Sequence, residues 1–353
     1  MRLKVSAPGK MVLLGEYAVL FGAPAVVMAV NRRARVDLAP SASNRWQLIS
    51  PGLASRPAEF DIGAGGTVRW IDEDLGERFA LVERLLHELH SAGVVELGRL
   101  SPAAVTLDTR EFFRSRDDSR HKLGLGSSAA LTVALTSALV AWADDRRVPD
   151  ANPRWMQTLV DLHRRMQGGL GSGIDVAASV LGGVLRFQLD EDSSMVAARP
   201  IVLPSDLQIL PIWTGRSAST RGFLEQLETG RAAHPQSVDG AISRLGDVSK
   251  AGIDAIQAGV VLGFLDAVDG FWDALEALGR EIEMPILSQE HRRLRRLAAE
   301  YGVHYKPSGA GGGDLGIAFG FDPHAMRETT AGAKAEGFAV LDLETDAKGL
   351  TES

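Results

Sequence analysis

The stretch from Lys122 to Ala143, KLGLGSSAALTVALTSALVAWA, decides the architecture of this chain. Its second part, Ala129 to Ala143, is apolar on nearly every side yet too short to cross a bilayer, so it predicts a buried central helix. Its first part sets Gly124 and Gly126 beside two serines directly ahead of that helix. Glycines there let backbone N–H groups converge at the positive helix N-terminus, a geometry that cradles phosphate. Ser127 and Ser128 add hydroxyl donors or a magnesium ligand, because hard Mg2+ prefers oxygen and keeps other positions for water and phosphate. A helix cap followed by small packing residues would use the same letters.

Two better-known phosphate motifs fail here. Gly124, Gly126 and Ala129 fit GxGxxA, but no strand follows the helix to carry the acidic residue of a dinucleotide fold. The Walker pattern GxxxxGK[ST] is absent.

Outward from this centre, short β-branched or apolar runs bounded by Gly, Pro and Asn predict strands at Val5–Ala7, Ala25–Val30, Arg35–Leu38 and Ala103–Leu107. Helical spacing predicts helices over Glu77–Ser91, Trp155–Met166 and Ile174–Leu181, with a strand at Val184–Leu189. Glu191 to Pro204 reads as irregular and polar, which places a domain boundary at 195/196, giving residues 1–195 and 196–353. Beyond it come a strand at Leu207–Trp213, helices through Thr220–Arg280, a basic helix at Gln289–Ala299, and strands near Val303–Lys306 and Leu315–Phe319.

The composition agrees with an ordinary globular protein. Of 353 residues, 38 are Lys or Arg and 45 are Asp or Glu, a net charge of −7, which argues against a general nucleic-acid binder. Two domains suit this length. Without cysteine there is no thiolate nucleophile, disulfide framework or Cys-ligated metal, which fits a reducing cytoplasm. Met11 to Val30 approaches the length of a membrane span, but Glu16, Gly15, Gly22 and Pro24 interrupt it, so no membrane role is expected. His87 and His90 in HELH miss the HExxH spacing by one residue and read as solvated helix residues, as does the run HRRLRR at 291–296.

Two further glycine-rich stretches accompany the first. In GGLGSGIDVAASVLGG, residues 168–183, Asp175 opens a helix whose dipole keeps a carboxylate ionised, either to orient or deprotonate an attacking hydroxyl or simply to cap the helix. In KPSGAGGGD, residues 306–314, the glycines imply close backbone approach to a ligand or to a neighbouring loop. Glu16 is either a buried carboxylate that orders Lys10 or a metal, or an edge residue facing water.

With APGKMVLLGEYAVLFGAP at 7–24, GLGSSAA at 124–130 and SGAGGGD at 308–314, the chain resembles the GHMP kinase superfamily, whose three motifs are present in order. WTGRSAST at 213–220, GSGIDVAAS at 171–179 and the terminal Asp314 resemble the phosphomevalonate kinases within it. Mevalonate kinases usually end the third motif in glycine and place an acidic metal ligand where this chain has Arg164. Diphosphomevalonate decarboxylases lack the glycine-rich third motif.

The resemblance implies an α+β, two-domain fold with the active site in the interdomain cleft. ATP would lie on Gly124, Leu125, Gly126, Ser127, Ser128 and Ala129, with Mg2+ on Ser128 and Glu16. Lys10 and Asp175 would be catalytic. A phosphorylated small-molecule acceptor would be bound by Lys10, Ser172, Arg216, Ser217, Ser219, Thr220, Arg221, Ser308, Gly309 and Ala310. The reaction expected is transfer of phosphate from ATP to mevalonate 5-phosphate. Mevalonate kinase, another small-molecule kinase of the superfamily, and a catalytically silent sensor are the competing expectations. Adenine contacts have no fixed spacing to find.

Overall fold

A computed structural model describes residues 2–63, 65–116, 119–144, 147–190, 193–218 and 220–352. The chain begins with β1 (Leu3–Leu14), β2 (Ala25–Pro40), β3 (Trp46–Ile49), β4 (Ala58–Ile62) and β5 (Val68–Trp70). Helices α1 (Glu73–Glu77) and α2 (Ala80–Ser91), strand β6 (Ala103–Asp108) and the hairpin β7 (Phe113–Arg116) and β8 (Ser119–Lys122) follow. Next are α3 (Ser127–Asp144), α4 (Pro153–Met166), α5 (Ile174–Leu181), β9 (Val184–Leu189) and β10 (Val196–Pro200). The remainder comprises β11 (Gln208–Trp213), α6 (Thr220–Ala233), α7 (Pro235–Gln257), α8 (Val261–Glu281), α9 (Gln289–Glu300), β12 (His304–Ser308), β13 (Leu315–Gly320), α10 (Pro323–Ala335), β14 (Ala339–Val340) and β15 (Thr351–Glu352).

Nine strands form the first sheet, in the order β10-β9-β2-β6-β3-β4-β5, with β1 paired to β2 and β15 to β1. The second sheet is β12-β13-β11-β14, antiparallel throughout. Met11 to Val30 is therefore a strand, a turn and a strand. It reads as one apolar run because β1 and the first half of β2 are buried on both faces. Among the described residues no helix is long and apolar enough to cross a membrane.

Several predicted boundaries shift. Ala25–Val30 and Arg35–Leu38 are one strand, carried through a register shift where Pro8 pairs with Arg33 and Gly9 with Val30. Glu77–Ser91 divides at Arg78–Phe79: Asp72 caps a separate first turn by accepting from Leu75 N at 3.0 Å, and Phe79 turns into the core. The segment expected to be irregular contains β10, hydrogen-bonded to β9 from Val196 to Pro200, while its Glu191 lies outside the described residues. The expected division at 195/196 thus falls inside this hairpin, and β15 returns to pair with β1.

Candidate active site

The first motif places its lysine through two residues that yield space. Pro8 interrupts the donor pattern of β1, and Gly9 admits the phosphate loop so closely that a Cβ there would stand 2.5 Å from Leu125 O. Lys10 N then donates to Leu125 O at 2.9 Å, and Lys10 Nζ to Gly124 O at 3.3 Å. Gly124 and Gly126 both adopt φ near +76°. Gly126 O accepts from Ala130 N at 3.1 Å, so the loop passes directly into the first turn of α3.

Gly126 is also where the two expected catalytic side chains meet. A Cβ on it would lie 3.2 Å from Lys10 Cγ and 3.7 Å from Asp175 Cβ. Asp175 stands in the first turn of α5, after Gly173 at φ 84°. Its Oδ1 accepts from Val176 N at 3.0 Å, and His163 Nδ1, buried on α4, is 4.0 Å away. Arg164 donates to Gly171 O at 3.0 Å and to Ser172 and Ser194 O at 2.9 Å each. It braces the loop leading to Asp175.

Lys10, Gly124, Gly126, His163 and Asp175 line a cleft of about 620 Å3 that also takes in Ser127, Ser128, Ser172, Ser308, Gly309 and Ala310. The third glycine loop reaches it through Ser308 Oγ, which accepts from Val12 N at 3.1 Å and donates to Val12 O at 3.0 Å. Asp314, held at φ 53°, faces the cleft against Gly124 and accepts from Ala218 N at 3.2 Å. Burial raises its carboxyl pKa, opposed by that N–H and by Lys10 and Lys122.

Other expectations are corrected. Glu16 is buried at the wall of the cleft; its Oε1 pairs with Lys306 at 2.5 Å rather than with Lys10, while its buried Oε2 has no hydrogen-bond partner among the described residues. Arg216 does not line the cleft: its carbonyl accepts from Asp314 N at 2.7 Å, and its exposed guanidinium meets Glu290 at 3.3 Å. Ser217 is exposed and donates to Lys122 O at 3.4 Å. Ser219 lies outside the described residues, and Thr220 and Arg221 are described only as the start of α6. The cleft cations that the sequence reading missed are Arg84, which donates to Met166 O at 3.0 Å, and Lys122. Lys122 stands beside the phosphate loop, a signal that was available; Arg84 carries none, since it sits within the apolar period of α2.

The residues suit MgATP. Gly126 leaves a gap that a side chain would fill, at the N-terminus of a buried 18-residue helix, and Ser128 faces the cleft. Among the described residues no cluster of three His, Asp or Glu could hold a metal by itself, so a magnesium ion here would depend on Ser128 and on phosphate oxygens.

Residues 97–183 match the family described as GHMP kinases N terminal domain, a span covering the phosphate loop, α3 and Asp175. The whole chain shares the two-domain fold of Streptococcus pneumoniae phosphomevalonate kinase in complex with phosphomevalonate and AMPPNP, superposing over 97% of its length and covering 99% of that chain with TM-score 0.76 at 20% identity. It is 28% identical to phosphomevalonate kinase of Streptomyces sp. (strain CL190), covering 92% of this chain and 91% of that relative. It is 27% identical to mevalonate kinase of Bos taurus, covering 99% and 94%. Both relatives carry kinase names, with different acceptors.

Proposed function

We propose that this chain is an ATP-dependent kinase that converts mevalonate 5-phosphate to mevalonate 5-diphosphate in the cytoplasm. The observation that carries the kinase reading is the meeting of Lys10 and Asp175 at Gly126, on the N-terminal turn of α3. A nucleotide seated on that turn would present its terminal phosphate to both side chains. When bound, Mg2+ would neutralise phosphate charge beside Ser128.

In this reading the attacking group is the acceptor's own phosphate. It is already ionised at neutral pH, so Asp175 positions it rather than removing a proton, and Lys10 offsets charge as the phosphoryl group moves. Lys122 and Arg84 replace Arg216 as the further cations available to the acceptor.

The absence of Arg216 from the cleft, with a mevalonate kinase among the relatives, favours mevalonate as the second reading. Side-by-side steady-state kinetics decide between the two. The expected result is a kcat/KM at least about tenfold higher for mevalonate 5-phosphate. Equal or better performance with mevalonate transfers the assignment to mevalonate kinase. Nucleotide binding without turnover of any acceptor makes the chain a sensor.

A further inference from the structure

A buried ion pair joins the first and third glycine motifs at the wall of the cleft. Glu16 follows the Gly15 turn at the end of β1, and Lys306 lies in β12 ahead of the third loop. Lys306 Nζ is 2.5 Å from Glu16 Oε1, donates to Pro307 O at 2.6 Å, and stands 5.4 Å from the centre of the Phe271 ring. The lysine side chain is 0% exposed and the glutamate 3%. The same Glu16 oxygen accepts from Gly309 N at 3.3 Å, and the next residue, Tyr17, donates its hydroxyl to Ala310 O at 2.5 Å. Tyr17 is held at φ 60°, a conformation that a bulky residue keeps only under constraint.

Removing two charges from water is costly, and an apolar pair of similar volume would hold the segments together as well or better. Cohesion therefore does not explain the pair. An ion pair supplies direction instead: a carboxylate oxygen fixed opposite the first amide of the loop.

We propose that Glu16 and Lys306 are positioning residues that set the third glycine loop over the acceptor end of the cleft, with Glu16 committed to this task and not to a metal ion. The kinetic consequences rest on the kinase reading above, whereas the loop geometry can be measured without it.

The test compares Glu16→Gln with the double variant Glu16→Leu, Lys306→Met, which leaves no unpaired charge and so guards against misfolding. Amide hydrogen exchange across 309–313 in the ligand-free protein is expected to rise roughly tenfold or more in both, with α3 remaining protected. In turnover, KM for the acceptor rises about tenfold while kcat and the Mg2+ concentration for half-maximal rate change less than about threefold. Native exchange across 309–313 in a folded double variant overturns the proposal. So does a tenfold higher Mg2+ requirement in Glu16→Gln with unchanged exchange, which makes Glu16 a metal ligand. A wild-type protein that turns over no acceptor defeats the kinase reading alone, and the exchange measurement still decides this one.

Discussion

Lys10 Nζ donates to the carbonyl oxygen of Gly124 at 3.3 Å, so a lysine from the first strand is held on the loop that opens α3, more than one hundred residues later in the chain. The bond aims the ammonium along the loop while leaving two of its three protons for a ligand. The pairing of Lys10 N with Leu125 O fixes the backbone of the same residue.

In the proposed kinase reading Lys10 and Asp175 act where charge moves in phosphoryl transfer, so Lys10→Met and Asp175→Asn should each lower kcat by roughly 10²–10⁴-fold. ATP affinity, measured by calorimetry, should change far less. Near-normal turnover in either variant would remove that residue from the chemistry.

Gly126→Val should abolish nucleotide binding. Valine at φ +76° is strained by about 1–2 kcal/mol, and its Cβ would lie 3.2 Å from Lys10 Cγ inside the space a phosphate needs. Calorimetric titration of a variant with a native circular dichroism spectrum checks this; unchanged affinity would move the nucleotide elsewhere.

His291 predicts acid sensitivity. It is fully buried, hydrogen-bonded through Nδ1 to Tyr305 OH at 2.8 Å and through Nε2 to Gly313 O at 3.0 Å, and burial lowers its pKa from 6.5 to about 4. Between those values the unfolded chain takes up a proton that the folded protein refuses. Its contribution is therefore complete above pH 6.5 and lost as pH falls toward about 4, a total on the order of 3 kcal/mol. In urea unfolding, His291→Gln should be less stable than wild type at pH 7.5, yet lose about 2 kcal/mol less between pH 7.5 and pH 5. Parallel losses in the two proteins would refute it.

The same histidine shows where sequence reading stops. In HRRLRR the solvated face holds for part of the run: Arg292 pairs with Glu276 at 2.6 Å and Arg293 with Glu336 at 2.7 Å at the surface, whereas Arg295 is half-buried over the Trp272 ring, 4.7 Å from its centre. His291 opens the run but sits on the buried side of α9, and only its contacts with β12 and the third loop make it part of the site's support. Glu16 was legible as an anomaly in an apolar run; its partner Lys306, 290 residues away, was not.

What the sequence determined by itself was local. Apolar length and periodicity specified α3 as a buried helix, and the glycines ahead of it marked a left-handed turn at its N-terminus, because backbone freedom depends on near neighbours. Which cations face the cleft was decided by tertiary structure. Arg216 and Lys122 are equally plausible as letters, but the turn whose carbonyl receives Asp314 N sends Arg216 outward to Glu290, while Lys122 remains at the cleft. A side chain's direction follows from the backbone hydrogen bonds that its residue makes with distant strands, and those pairings exist only once the two sheets are assembled.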